Sequence, residues 1–417
     1  MIIVYQAPGE KKTSCPYFIH QDKEIEMAKK TIEKNKVRLG IVGVGGMGSN
    51  HAQRIMKGDI PRLELVAVCD IDPAKLVNWP ENIKKFDDSR KLIRSGEVDA
   101  ILVATPHYDH TTVGIDGLEN GLHVLVEKPI AVHKADAEKM IAAYKKTKNQ
   151  VFCAMFNQRT DPKYIKVRDM IAKGELGEIR RVNWIITNWY RPEAYYASGG
   201  WRATWKGEGG GVLLNQCPHN LDLFQWIVGM TPSMVRANCY LGKYHRIEVE
   251  DDVTAYMEFP NGATGVFITT TGEAPGTNRL EISGDRGKIV VEGGIKFTRN
   301  EVDAKEFTQT SKSMFGAPDV WNIEVPVHGG GEQHNGILKN FTAAILDDAE
   351  LIAPAVEGIK AVELATAMLY SSWKNKEVQM PLDGKAYERE LKKKIAESKF
   401  EKKTTKNVKS DLSKSFA

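Results

Sequence analysis

Val37-Arg38-Leu39-Gly40-Ile41-Val42 is a compact apolar run, and Gly43-Val44-Gly45-Gly46-Met47-Gly48 closes it at once. The run is too short for a helix and reads as a buried strand. In Gly43-x-Gly45-x-x-Gly48 the first glycine permits a tight turn, the second lets a phosphate approach the backbone, and the third lets helix and strand pack closely. Residues from Ser49 to Lys57 then read as a helix, and Leu63 to Cys69 as a second strand that ends on the acid Asp70, 22 residues after Gly48. This strand, turn, helix and strand predict a dinucleotide cradle: the pyrophosphate faces the helix N-terminus, and Asp70 holds the adenosine ribose hydroxyls. A carboxylate there repels a 2′-phosphate and no arginine directly follows it, so NAD is expected over NADP. Asp72 competes for the ribose role.

Outward from this unit the alternation continues. Helix-like stretches from Ser89 to Ser95, Thr111 to Glu119 and Ala135 to Thr147 separate strands Ala100 to Ala104, His123 to Val126 and Val151 to Met155. Strands alternating with helices predict a parallel sheet, because parallel neighbours need a crossover. After Asn157 and a helix from Tyr164 to Ala172, strand-like runs dominate: Arg180 to Thr187, Met234 to Leu241, Val253 to Phe259, Gly265 to Thr271, Arg279 to Ser283 and Lys288 to Val291. The turns Asn261-Gly262 and Gly284-Asp285-Arg286-Gly287 are hairpin-like. Helical periodicity returns at Gly336 to Ala349 and Val356 to Trp373.

The expected fold is α/β: an N-terminal Rossmann domain with a doubly wound parallel sheet, then an α/β domain with an open, mostly antiparallel sheet. The domain limits are an arm over 1–36, the dinucleotide-binding domain over 37–156, a substrate-binding and oligomerisation domain over 157–384, and a basic tail over 385–417.

Composition narrows the function classes. The 417 residues are 42% hydrophobic and 27% charged, with a formal charge of +4. Eleven lysines and arginines against five acids lie beyond Gly384, so the basicity belongs to the tail. No aromatic residues alternate with those lysines as a nucleic-acid stacking surface requires, and the tail reads as a solvated helix and frayed end. Five scattered cysteines without a C-x-x-C pair argue for a reducing compartment and against a disulfide framework or zinc knuckle. No signal peptide and no membrane-length apolar run is seen, so the expected location is the cytoplasm.

Two further segments follow at strand ends: Thr105-Pro106-His107-Tyr108-Asp109-His110, and Gly121 to Pro129 with Glu127-Lys128-Pro129. With Asn157-Gln158-Arg159, Trp201-Arg202 and Gly209-Gly210-Gly211-x-Leu213-x-Asn215-Gln216-x-x-His219-x-x-Asp222, the chain resembles the Gfo/Idh/MocA oxidoreductases over residues 37 to 383. Glu357-Gly358 and its helix match too.

The resemblance implies that Lys128 and His219 flank the reacting carbon near the nicotinamide, and that the sheet's outer face pairs subunits into a homodimer or homotetramer. The implied cofactor contacts are Gly43, Gly45, Gly46, Met47, Gly48, Asp70, Thr105, Pro106, His110, Glu127, Lys128 and Asn157. The implied substrate contacts are Lys128, Arg159, Trp201, Arg202, Asn215 and His219. The residues support this independently, since oxidising an alcohol needs a base at the hydroxyl proton and histidine titrates near working pH. His219 is the expected base and Lys128 its orienting or polarising partner. The family often carries an aspartate four residues before the histidine; Asn215 stands there and can orient a hydroxyl but take no proton.

Aromatics from Trp184 to Trp201 suit sugar C–H faces, or a core. A metal held by Cys217, His219, His107 and His110 is disfavoured, because no paired thiolates or histidines one turn apart support it. The expected activity is NAD-dependent oxidation or reduction at a secondary hydroxyl of a sugar, glycoside or cyclitol, sugar C3 being one case. The alternatives are an NAD-bound glycosidase working by transient oxidation and elimination, a dinucleotide-sensing regulator, and a reductase of a dihydrodiol or tetrapyrrole.

Overall fold

The computed structural model describes residues 35–404, so the arm over 1–34 and the end of the tail lie outside the described residues. The first sheet holds six strands: β1 (Val37–Val42), β2 (Leu63–Cys69), β3 (Lys84–Phe86), β4 (Ala100–Val103), β5 (His123–Val126) and β6 (Phe152–Ala154). Their spatial order is β3-β2-β1-β4-β5-β6 and every pairing is parallel. The crossovers include α1 (Gly46–Met56), α2 (Ser89–Ile93), α3 (His107–Glu119) and α4 (Lys134–Tyr144). Helices on both faces bury the strands twice, which explains why Ala100–Val103 is apolar without alternation and fully buried. β3 is a strand that the sequence reading did not contain; its Lys84-Lys85-Phe86 has no apolar pattern because it is an edge. The strand order reverses direction between β1 and β4, and ligands bind at such a switch point, outside the carboxyl ends of the strands.

The second domain begins with α5 (Pro162–Ala172), whose start is set by Asp161 capping Lys163 N and by Pro162. Its sheet has nine strands: β7 (Ile179–Ile186), β8 (Met234–Leu241), β9 (Glu250–Glu258), β10 (Thr264–Thr270), β11 (Asn278–Gly284), β12 (Gly287–Glu292), β13 (Gly294–Asn300), β14 (Val320–Val325) and β15 (Val378–Gln379). All pairings are antiparallel except β10 with β7. The two expected hairpins are present: β9 and β10 turn at Asn261-Gly262, and β11 and β12 at Asp285-Arg286. β13, β14 and β15 extend the sheet beyond the reading; β14 is exposed along its length, so it lacks the alternation that marks a half-buried strand.

The remaining helices are α6 (Glu193–Ala197), α7 (Val212–Asn215), α8 (Pro218–Trp226), α9 (Ala304–Thr310), α10 (Gln333–Asp347), α11 (Gly358–Lys374) and α12 (Gly384–Glu397). One face of the sheet is covered by α8 and α11, and Trp184, Phe224 and Phe267 meet beneath it. Trp184, Trp189 and Tyr196 are therefore core residues.

The tail needs correcting. α12 is docked, not wholly solvated: Asp383 caps it, Tyr387 is buried and stacks 5.1 Å from Trp373, and Leu391 is buried. Lys385, Lys392 and Lys393 are exposed, while Lys394 lays its ammonium over Trp373 at 4.8 Å, an amphipathic pattern masked by a charge count. The chain beyond α12 then returns to the Trp201-Arg202 segment, where Lys402 Nζ donates to the Arg202 carbonyl.

Candidate active site

A cleft of about 970 Å³ follows the carboxyl ends of β2, β1, β4 and β5 and ends against the second domain. Gly43 has φ +90°, and a Cβ there would lie 2.7 Å from the Ala104 carbonyl oxygen; at Gly48 it would lie 1.9 Å from that of Gly43. These two glycines are demanded by the protein itself. At Gly45 a Cβ would meet nothing within 4 Å, and Gly45 lines the cleft beside Gly43, Gly46 and Met47. That bare backbone at the start of α1 fits a pyrophosphate. Thr105 Oγ1, also on the wall, is buried without a hydrogen-bond partner, a second sign of a missing polar ligand.

Asp70 is buried after β2, accepting from Val44 N at 3.0 Å and Asp72 N at 3.0 Å. Lys75 Nζ lies 3.3 and 3.4 Å from its two oxygens. This cation, missed in the sequence reading, is brought back by the turn after β2. Asp72 instead caps Ala74 N.

Pro106 precedes α3, so His107 and His110 sit on its first turns and not in a loop. His110 places its ring nitrogens 2.7 Å from the Pro129 carbonyl and 2.9 Å from that of Thr105, tying two cofactor-side loops together. Burial pulls its pKa below the ordinary value.

Glu127 is buried, and its Oε1 lies 2.6 Å from His51 Nε2 on α1, while Oε2 accepts from Lys128 N at 3.1 Å. Burial pushes this carboxyl up, but His51 outweighs it and leaves Glu127 at about 2. His334 on α10 lies 5.4 Å from His51, ring to ring, and burial followed by the His51 charge brings it down to about 3. Neither histidine was singled out from sequence; His51 follows Gly48 by three residues, one turn into the helix, and His334 carries no motif.

Lys128 Nζ donates to the Asn215 carbonyl at 2.8 Å, across the domain boundary. Burial lowers its pKa, with Glu127 opposing and Arg202 assisting. Asn215 is the last residue of α7, whose start is fixed by Glu250: its Oε1 accepts from Gly211 N at 2.8 Å and Leu213 N at 3.0 Å. His219, in the first turn of α8, is buried with Nδ1 unpartnered. Burial, then Lys128 and His334, hold it well below the ordinary histidine value. Arg202 stacks over Tyr195 at 4.4 Å and Trp201 at 4.7 Å.

The cleft wall thus includes Gly43, Gly45, Gly46, Met47, Asp70, Thr105, Pro106, His110, Glu127, Lys128, Trp201, Arg202 and Asn215. Gly48, Asn157, Arg159 and His219 stand behind it. Asn157 donates through Nδ2 to Gln333 Oε1 at 2.8 Å. Arg159 corrects a substrate assignment: it is 2% exposed, paired twice with Asp222 at 2.7 and 2.8 Å and once with Glu357 at 2.5 Å. It clamps α8 to the segment before α11 and has no face towards the cleft. His107 lines the cleft with its Nδ1 3.2 Å from Glu208 O, and Cys217 faces Thr269 Oγ1; among the described residues no group of three or more His, Cys, Asp or Glu could hold a metal ion.

Two family models match the chain: the oxidoreductase family with NAD-binding Rossmann fold over residues 37–155, and the GFO/IDH/MocA C-terminal domain over 164–290. The chain belongs to the Gfo/Idh/MocA oxidoreductase family. It is 28% identical to an inositol 2-dehydrogenase of Rubrobacter xylanophilus over 47% of this chain, which spans about half, 53%, of that protein. It is 25% identical to the oxidoreductase YrbE of Bacillus subtilis over 80% of this chain and 93% of that one. Among solved structures, the WlbA dehydrogenase of Bordetella pertussis in complex with NADH and UDP-GlcNAcA superposes with a TM-score of 0.69 at 26% identity, covering 84% of this chain and 100% of that one. The Rossmann domain of this family member is an NAD-binding one, and the residues at Gly43–Gly48 and Asp70 are those that would hold the dinucleotide.

Proposed function

We propose that the protein transfers a hydride between NAD and a secondary hydroxyl or ketone of a sugar, glycoside or cyclitol. The observation that carries this reading is the meeting of Lys128, from the end of β5, with Asn215 and the neighbouring His219 of the second domain, at the far end of a cleft that starts on a glycine cradle. NAD, when bound, takes up the hydride. The hydroxyl proton needs a base, and His219, whose buried Nδ1 has no hydrogen-bond partner, is the proposed one. Lys128 spends one hydrogen on the Asn215 carbonyl and directs the rest at the substrate oxygen, stabilising charge that builds there. Trp201 offers an aromatic face to sugar C–H patches while Arg202 binds hydroxyls. The inositol 2-dehydrogenase and the WlbA complex with a UDP-sugar support this substrate class.

Asp70 favours NAD over NADP, although Lys75 tempers its charge. The outer face of the second sheet exposes Tyr240 and Tyr256, and a second copy of the chain is the proposed occupant. A reducing, cytoplasmic setting suits Cys69, Cys153 and Cys217, which are free and buried with thiols pushed up to about 12; among the described residues no helix is long and apolar enough to cross a membrane.

The test is a screen of sugars, glycosides and cyclitols with NAD and NADP, following absorbance of the reduced nicotinamide. Turnover with NAD on at least one polyol is expected. Silence towards all of them with both cofactors would sink the reading and leave the fold untouched, and hydrolysis without net reduced cofactor would move it to the glycosidase alternative.

A further inference from the structure

Glu208 is 1% exposed and lies behind the cleft wall, yet a set of polar groups converges on its carboxylate. Oε1 accepts from Asn215 Nδ2 and Oε2 from Ala203 N. Arg202 Nη1 stands 4.0 Å from Oε1. Lys402, held on the Arg202 carbonyl, brings a second positive charge from the segment after α12. The Glu208 backbone carbonyl faces His107 Nδ1 at 3.2 Å.

A carboxylate can only accept, so the Asn215 amide must turn its nitrogen to Glu208 and its oxygen the other way. That oxygen accepts from the Tyr195 hydroxyl at 3.1 Å and Gln216 Nε2 at 3.3 Å. The Tyr195 hydroxyl itself accepts from Arg202 Nη1 at 2.6 Å. Hydrogen-bond polarity therefore runs one way, from Arg202 through Tyr195 and Asn215 to Glu208, and the same Asn215 anchors Lys128 through its carbonyl.

We propose that Glu208 is a positioning residue of the catalytic centre, fixing the Asn215 amide so that its oxygen holds the Tyr195 hydroxyl and, through it, Arg202 at the cleft, and supplying the negative charge that balances Lys128 and Arg202. For its chemistry this rests on the dehydrogenase reading of the same site. The carboxylate acts at one remove: Asn215 and Arg202 line the cleft, and Glu208 sets which end of the Asn215 amide meets Tyr195.

The experiment is a cycle of wild type, Glu208→Gln, Asn215→Asp and the double variant, each assayed for kcat, substrate KM and NAD KM on the polyol that the screen identifies. Glu208→Gln opposes one amide nitrogen to another and is expected to lower kcat about thirtyfold with NAD KM unchanged. Asn215→Asp sets two buried carboxylates in contact and is expected to lose more than about a hundredfold. In the double variant the amide nitrogen introduced by Glu208→Gln again meets an oxygen, so activity should return to within about fivefold of wild type. Multiplying losses in the double variant, or a Glu208→Gln protein with wild-type kcat, would overturn the proposal.

The same four proteins are unfolded in urea, which needs no turnover. Absence of coupling between the two positions there overturns the assignment whatever the enzyme does to sugars. Coupling present with an inactive wild type sinks only the dehydrogenase reading.

Discussion

On the proposed cofactor wall, Gly43, Gly45, Gly48 and Asp70 belong to one βαβ unit and offer backbone shape and a single carboxylate. On the proposed substrate side, Lys128, Glu208, Asn215 and His219 arrive from a strand end, a loop and two short helices, and the Lys128 bond to the Asn215 carbonyl joins the two domains there. The first wall is a local consequence of strand, turn and helix geometry. The second exists only once both domains are folded and docked. Substitutions on the first should change affinity for the dinucleotide; those on the second should change the rate on the bound substrate.

The sharpest break of this contrast is Lys128→Met. With the side chain volume kept and the ammonium removed, kcat should fall about a thousandfold or more while NADH affinity, read by tryptophan fluorescence quenching, changes little. Equal losses in both would mean that Lys128 belongs to the cofactor wall.

Arg159→Met probes a residue whose role the sequence assigned wrongly. Removing it strands buried Asp222 without its partner, and a loss of about 3–5 kcal/mol in unfolding free energy is expected. Protein that remains folded at low temperature should keep its substrate KM. A raised KM at unchanged stability would return Arg159 to the substrate wall.

These two cases show what the chain discloses in advance. Gly43 to Gly48, Asp70 and the strand and helix alternation were legible because each rests on contacts within a short stretch, where one residue type answers one geometric demand. The resemblance singled out Lys128 and His219, and the structure brings them within electrostatic reach of each other. Arg159 misled because an arginine in a motif looks alike whether it faces a ligand or a buried aspartate 63 residues away. Glu208 escaped because nothing in its own neighbourhood marks it; its partners are Asn215, Arg202 and Lys402, and the last is 194 residues on. The β3, β13, β14 and β15 strands escaped for a related reason, since edge and short strands carry little alternation.

Gly45→Ala and Gly48→Ala sharpen the cofactor side. Both add one methyl group. At Gly48 it collides with the Gly43 carbonyl and should cost fold stability, whereas at Gly45 it enters open cleft and should leave Tm unchanged. NAD affinity of Gly45→Ala should nonetheless fall about a hundredfold, because the methyl occupies the path of the pyrophosphate. Retained affinity would place the phosphates elsewhere.

The smallest effect concerns the histidines between the walls. His334 is buried and depressed to about 3 against an ordinary 6.5. Above pH 6.5 it is neutral in both folded and unfolded chains and contributes no pH dependence. As pH falls below 6.5 the unfolded chain takes up its proton and the folded one does not, so stability is lost towards pH 3. Between pH 7 and pH 5 this single residue should cost the wild type about 2 kcal/mol relative to His334→Gln. Glu250, raised to about 7 by burial, works in the opposite sense, since its native form keeps a proton that the unfolded chain releases above pH 4.5. Subtracting the variant's pH curve from the wild type's removes that shared contribution, and a flat difference across this range would show that His334 is solvated when the two walls meet.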